Sequence, residues 1–351
     1  MTLAARNAFV CALIAAISAA CARSGPAPLA APAAANAVSF VVIGDTPYSA
    51  ADEAMLDTAL PLIRKGGFPF VIHVGDYKGG KQPCGPDHDD RFAALIETLA
   101  PMPVFYTPGD NEWTDCDRNK DNATGKPVSE LIRLDLIRTR FFAALPHTPA
   151  AFTFERQAAQ VENATWRHGG VRFATLHVVG TANGRAWVAG DALSAASAAV
   201  DARDRANLVW LDYVGALSVE EDASALVIAM QADPVEDAKA AQGVRCDGVS
   251  DKYWRCDAFA SLRTALRALA GTFGKPILVI HGDTAPFTLN QDFAGDEASN
   301  LWRLNAAGDA GIGATGLPYG IRDVTRVTIS PGAAPPFSAS GLMTDKSPKQ
   351  R

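Results

Sequence analysis

One feature restricts this chain more than any other: apolar runs that stop at Gly-Asp. Val38–Ile43 leads into Gly44-Asp45, Phe68–Val74 into Gly75-Asp76, and Val104–Thr107 into Pro108-Gly109-Asp110. Later, Ile277–Ile280 leads through His281 into Gly282-Asp283. Continuous Val/Ile/Phe-rich runs separated by helical stretches (Ala51–Lys65, Asp90–Leu99) are the pattern of parallel strands covered on both faces. The first three runs therefore predict a βαβαβ unit with right-handed crossovers. Ligands of open α/β sheets bind beyond the carboxyl ends of the strands. The spacing thus delivers Asp45, Asp76, Asp110 and Asp283 to one edge, where carboxylates repel unless a cation lies between them. Glycine ahead of each aspartate permits a tight turn and close approach of backbone to a ligand. Taken singly, a Gly-Asp is ordinary turn chemistry, with Asp capping the next helix.

Further along, Val128–Ala144 reads as an amphipathic helix, Ala206–Val214 as the end of a long helix, and Gly180–Gly184 as a turn. Val171–Val179, Leu226–Met230 and Val324–Ile329 read as more strands. Neither a repeat nor a linker interrupts residues 38–330, which are read as a single domain. The Pro/Ser/Lys-rich stretch 331–351 is expected to be disordered.

Composition narrows the partners. At 351 residues, 48% hydrophobic and 20% charged, the chain needs no staples to bury a core. A formal charge of −6 argues against a nucleic-acid surface, while an anionic phosphoester remains accessible if a cation supplies local positive charge. Arg6 followed by the apolar run Ala8–Ala20 reads as an export signal, and 24–37 as an Ala/Pro-rich spacer, which predicts a periplasmic or secreted protein. Cys21 follows Ser18-Ala19-Ala20, a weak lipoprotein box; a membrane enters only if Cys21 is lipidated. Cys84, Cys116, Cys246 and Cys256 remain, an even number suited to an oxidising compartment. Pairing Cys84 with Cys116 and Cys246 with Cys256 is favoured because each pair would clip a loop-like segment; the absence of C-x-x-C speaks against zinc. A dinucleotide-binding fold is disfavoured, since no G-x-G-x-x-G follows the first strand.

The order of these blocks, with Asp76 following Asp45 by 31 residues and Asp110 following Asp76 by 34, resembles the calcineurin-like metallophosphoesterase family. Its blocks run D-x-H, G-D, G-N-H-[E/D], a lone His and G-H-x-H. The resemblance implies an α/β fold, a two-sheet β-sandwich flanked by helices, and a two-metal site bridged by one aspartate, Asp76 by position. Here the blocks stand as Asp45-Thr46-Pro47, Gly75-Asp76, Gly109-Asp110-Asn111-Glu112, Gln231 (or nearby Asp233), and Gly282-Asp283-Thr284-Ala285. The implied ligands are Asp45, Asp76, Asp110, Gln231 and Asp283. An almost all-oxygen set suits a hard divalent cation, Mn²⁺, Mg²⁺ or Ca²⁺, as one ion or two.

Asn111 occupies the position of the family's acid-base histidine, and His177, beside the Gly180–Gly184 turn, is the candidate replacement. His73 and His281 lie inside strands and are read as packed. Lys78, with Lys81 nearby, is a candidate phosphate holder; Tyr48 and Trp113 are candidates to pack on the leaving group. Two functions stay open: hydrolysis of a phosphomonoester or phosphodiester, or binding of a phosphate-containing ligand without hydrolysis.

Overall fold

A computed structural model describes residues 37–120, 124–236, 238, 241, 244–252, 256–311 and 319–350. The export signal, most of the spacer and Cys21 lie outside the described residues.

Three of the apolar runs form β1 (Val38–Ile43), β2 (Val71–His73) and β3 (Val104–Tyr106), paired in parallel in that order. Their connections are α1 (Ala50–Lys65) and α2 (Pro86–Leu99). Ser49 caps α1 by accepting the Asp52 N–H, and acidic Asp52 and Glu53 complement the positive end of the helix. The predicted helix beginning at Val128 is α3 (Glu130–Ile137), which loosens into a wider turn at Arg138–Phe142.

A second sheet is ordered β4-β5-β6-β7-β8-β10-β9, with β4 (Glu155–Arg156), β5 (Ala164–His168), β6 (Val171–Thr175), β7 (Leu226–Ala229), β8 (Ile277–His281), β9 (Thr288–Asn290) and β10 (Leu301–Asn305). Strands β6, β7, β8 and β10 are parallel, so β7 and β8 end at one edge. Helices α4 (Leu193–Glu220) and α5 (Ala260–Phe273) cover its outer face.

The two sheets face each other through Phe40, Ile72 and Phe105 on one side and Phe173, Val227 and Leu278 on the other. Outside them, α1 to α3 pack on the first sheet through residues such as Ile63, Leu99 and Ile137. This is the expected two-sheet sandwich flanked by helices, in four layers. Full burial of the Val/Ile/Phe runs on both faces explains why they read as unbroken apolar segments.

The expectation of a disordered tail is corrected. Residues 337–341 form β12, antiparallel to β11 (Thr325–Ile329), which itself pairs antiparallel with β1. Phe337 is 1% exposed in the inter-sheet core, and Lys349 bridges to Thr288 on the other sheet. The polar composition of the tail hides one buried anchor, and burying a Phe side chain is worth about 1.5–3 kcal/mol. Among the described residues no helix is long and apolar enough to cross a membrane.

Candidate metal centre

Asp45, Asp76 and Asp283 adopt left-handed conformations (φ 52°, 59° and 67°), which end extended pairing immediately after their strands. Asp tolerates this region better than most residues, but such backbone is uncommon and gathers at functional sites.

The edges of the two sheets meet where these turns converge. Carboxylate oxygens of Asp76, Asp110 and Asp283 lie within 4.8 Å of one another. Glycine is required here by close approach: a Cβ on Gly180 would sit 2.6 Å from both Asp110 Oδ2 and Asp283 Oδ1. Glu112, fully buried, holds the first-sheet turns in register by accepting the N–H groups of Asp76 (2.9 Å) and Gly109 (2.7 Å) and the hydroxyl of Tyr106 (2.9 Å).

Gln231 enters the cluster in an unexpected way. Its Oε1 accepts the Gly180 N–H at 2.7 Å, and a backbone N–H can only donate. That orients Nε2 toward Asp76 (3.2 Å), Asp110 (3.0 Å) and Asp283 (3.0 Å). Gln231 therefore donates to the acids and does not offer them an oxygen beside a metal. Asp45 also stands apart from the triad: its Oδ1 accepts the Asp283 N–H at 2.8 Å and lies 3.3 Å from the Tyr48 hydroxyl, tying first block to last. Of the five expected ligands, three carboxylates come close enough together to share one cation.

Above the triad opens a cavity of about 350 Å³, lined in part by Tyr48, Asn111, Asp115, Arg118, Trp187 and Asp309. Asn111 Nδ2 donates to Asp76 Oδ2 (2.9 Å) and to the Tyr48 hydroxyl oxygen (3.1 Å). Arg118 Nη1 pairs with Asp115 at 2.5 Å, and the Thr181 hydroxyl lies 2.7 Å from Asp110 and 3.0 Å from Asp115. Both disulfides pair as favoured from sequence and hold this rim. Cys84–Cys116 anchors the turn carrying Asp115 and Arg118. Cys246–Cys256 closes the segment whose Lys252 carbonyl accepts the Trp187 N–H.

Charge is unbalanced. Burial, followed by the charges of Asp110, Asp45, Glu112 and Asp283, holds the Asp76 carboxyl well above the usual carboxylate range. Burial and then Asp110 do the same to Asp283, whose Oδ2 has no hydrogen-bond partner among the described residues. Burial and then Asp110 also push Asp115 up to about 8. Three convergent carboxylates, one with an unpartnered buried oxygen and none ion-paired to a cationic side chain among the described residues, form a set that could hold a metal cation.

Other sequence candidates fall elsewhere. Lys78 is fully buried behind the site, donating to the Gly79 carbonyl at 3.1 Å, so it cannot reach a ligand in the cavity. Lys81, on the exposed loop, is not part of the cavity lining. Trp113 is 2% exposed and packs on His177 with ring centroids 5.3 Å apart, behind the cavity and not at its mouth. His177 is fully buried, its Nδ1 2.8 Å from Gln160 Nε2, and burial, then Arg203 and Arg138, hold it well below the usual imidazole range. It is a core histidine and does not line the cavity. His73 and His281 are packed as read; burial lowers His73 to about 3. Asp233 pairs with Arg303 at 2.9 Å and stays outside the triad. Arg118, Asp115, Trp187 and Asp309 were missed. The i,i+3 spacing of Asp115 and Arg118 was the only sequence trace, and it lay in a loop.

No protein-family model and no curated protein matches the sequence. Among solved structures the chain is similar to PhoD, with a TM-score of 0.53 at 14% identity over 89% of this chain and 67% of that one. Weaker likenesses are to GAP50, the anchor in the inner membrane complex of Plasmodium (TM-score 0.47, 10% identity, 89% and 86% covered), and to a dimetal phosphatase from Danio rerio (0.42, 13%, 83% and 95%). At these identities the likeness is one of fold.

Proposed function

We propose that this chain is an exported phosphoester hydrolase that works with one hard divalent cation held by Asp76, Asp110 and Asp283. The convergence of those three carboxylates, short of positive charge, at the meeting edges of two sheets carries the reading. The fold shared with PhoD and the two disulfides, suited to an oxidising compartment, agree with it.

When bound, such a cation supplies Lewis-acid polarisation of a phosphoryl oxygen and acidifies an attacking water. The residues of the chain do the rest. The Asn111 carboxamide and Tyr48 hydroxyl both donate to Asp76, and these neutral hydrogen bonds orient that carboxylate toward the cavity. Arg118, with a side chain 40% exposed at the rim, receives an anionic oxygen. Trp187, 43% exposed at the cavity wall, offers a face for the leaving group.

Hydrolysis of p-nitrophenyl phosphate and bis-p-nitrophenyl phosphate with Mn²⁺, Mg²⁺ or Ca²⁺ tests this. The wild type should turn over at least one of them and Asp76→Asn should not. None of the histidines lines this cavity, which favours a second reading, a protein that binds a phosphate-containing ligand intact. Metal-dependent binding of phosphate without turnover by any ion would decide for the latter.

A further inference from the structure

Behind Trp113 lies a second cavity, of about 400 Å³, between α3, α4 and the Gly180–Gly184 turn. That volume lies within the range of small-molecule sites. Its polar lining includes Trp113, Glu130 and Arg203, with Gln160, Asp135 and Arg138 also on the wall; its apolar wall includes Leu131, Leu134 and Val200.

The polar wall is incompletely paired. Trp113, Glu130 and Arg203 are 2%, 3% and 4% exposed. Each nevertheless has a polar atom with no hydrogen-bond partner among the described residues: Trp113 Nε1, Glu130 Oε1 and Arg203 Nε. Buried polar groups are rarely left so, and each one needs an explanation. The Trp113 and Arg203 atoms can only donate. The Arg203 guanidinium lies over the Trp113 ring at 5.0 Å, while its Nη2 is committed to the Asn183 carbonyl at 2.5 Å. Glu130 is of the opposite kind. Burial, then the charge of Asp117, pushes it up to about 10, and its Oε1 is left over as an acceptor. Two donors beside a buried cation, one acceptor and an aliphatic wall describe an amphipathic ligand with both an anionic and a donating group.

We propose that this cavity binds a small carboxylic acid with a 2-hydroxyl or 2-amino group and an apolar side chain. Its carboxylate meets Arg203 and Trp113, its 2-substituent donates to Glu130, and its side chain lies against Leu131, Leu134 and Val200. The site is separate from the acidic triad and does not depend on hydrolysis there.

Calorimetric titration of the full chain without divalent ions tests it, using L-leucine, 2-hydroxyisocaproate, isocaproate (no 2-substituent) and leucinamide (no carboxylate). Saturable binding of leucine, 2-hydroxyisocaproate or both is expected, and the one that binds identifies the 2-substituent. Isocaproate and leucinamide should each bind about tenfold more weakly or worse, because a buried group is left unpaired. Arg203→Lys retains charge but loses the Nε donor and should weaken binding by about tenfold. Ala199→Phe, which fills the cavity from α4, should abolish it while far-ultraviolet dichroism stays native. Absence of saturable heat with all four compounds, undiminished binding by the folded Ala199→Phe variant, or isocaproate binding as tightly as the better of leucine and 2-hydroxyisocaproate would overturn the proposal.

Discussion

Asp233 and Asp76 are both buried acids beyond the ends of parallel strands, and Gln231 stands between the groups they belong to, yet their surroundings are opposites. Asp233 accepts from Arg303 Nη1 (2.9 Å), the Thr284 hydroxyl (2.8 Å) and the Val235 N–H (3.0 Å), while Arg303 turns its other arm to Asp292 at 2.6 Å. Burial opposes ionisation of Asp233, but His281, Arg303 and these hydrogen bonds overcome it and hold the carboxyl below its usual range. Around Asp76 every large influence raises the pKa. Among the described residues, one cluster holds its own cation in ion pairs and the other has none paired to its acids. A fold has no structural reason to gather acids without a counter-charge, so the incomplete cluster is the one that points to a ligand from solution.

Breaking the complete cluster should have the largest effect. Arg303→Ala strands Asp233 and Asp292 and should destabilise the protein by about 3–5 kcal/mol in urea unfolding; a loss below about 1 kcal/mol would mean that the network is not structural.

Completing the incomplete cluster comes next. Mn²⁺ at 100 times its dissociation constant should stabilise the wild type by about 2.7 kcal/mol in thermal unfolding. At one fixed Mn²⁺ concentration the gain should grow as pH rises, because raised carboxyls must shed protons before they bind a cation. A pH-independent response, or one retained by Asp76→Asn, would contradict the triad.

Smaller, and opposite to the usual cost of a core substitution, is Asp76→Asn without metal. The folded pKa of Asp76 is raised above its unfolded value near 3.9. Its stabilising effect is therefore present below about pH 4 and is lost as pH rises toward the folded value. Asn does not titrate, so the variant should gain on the order of 1 kcal/mol over wild type at pH 8 and less at pH 5. Asp233→Asn should show the reverse sign, costing stability at pH 7 and nothing once pH falls below the lowered folded pKa.

The smallest effect on stability is expected from Arg118→Ala. Its ion pair has one partner 40% exposed, so unfolding should change by less than about 1 kcal/mol. The same variant should weaken binding of inorganic phosphate to the Mn²⁺ form several-fold, and unchanged binding would remove Arg118 from the proposed phosphate site.

Legibility in the sequence followed the range of the interactions. The runs ending at Asp45, Asp76, Asp110 and Asp283 were readable because complete burial of a parallel strand imposes a continuous apolar segment, and the chain must turn where it ends. The tail was misread because β12 rests on one anchor, Phe337, in a stretch whose composition is otherwise that of a loop. His177 and Trp113 were placed at the site because they are near it in sequence. In space they back onto each other behind it.

By itself, the sequence determined where the centre lies and which residues were candidates: strand periodicity and Gly-Asp punctuation are local, and local geometry is written in neighbouring residues. Only tertiary structure decided which candidates act together. The Gly180 N–H turns the Gln231 amide toward the acids, Asp45 is drawn to the Asp283 backbone, and two disulfides bring Arg118 and Trp187 to the rim. The Gly180–Gln231 and Asp45–Asp283 contacts join segments far apart in the chain. The direction of a side chain and its charge balance are set by such contacts and by nothing adjacent in sequence.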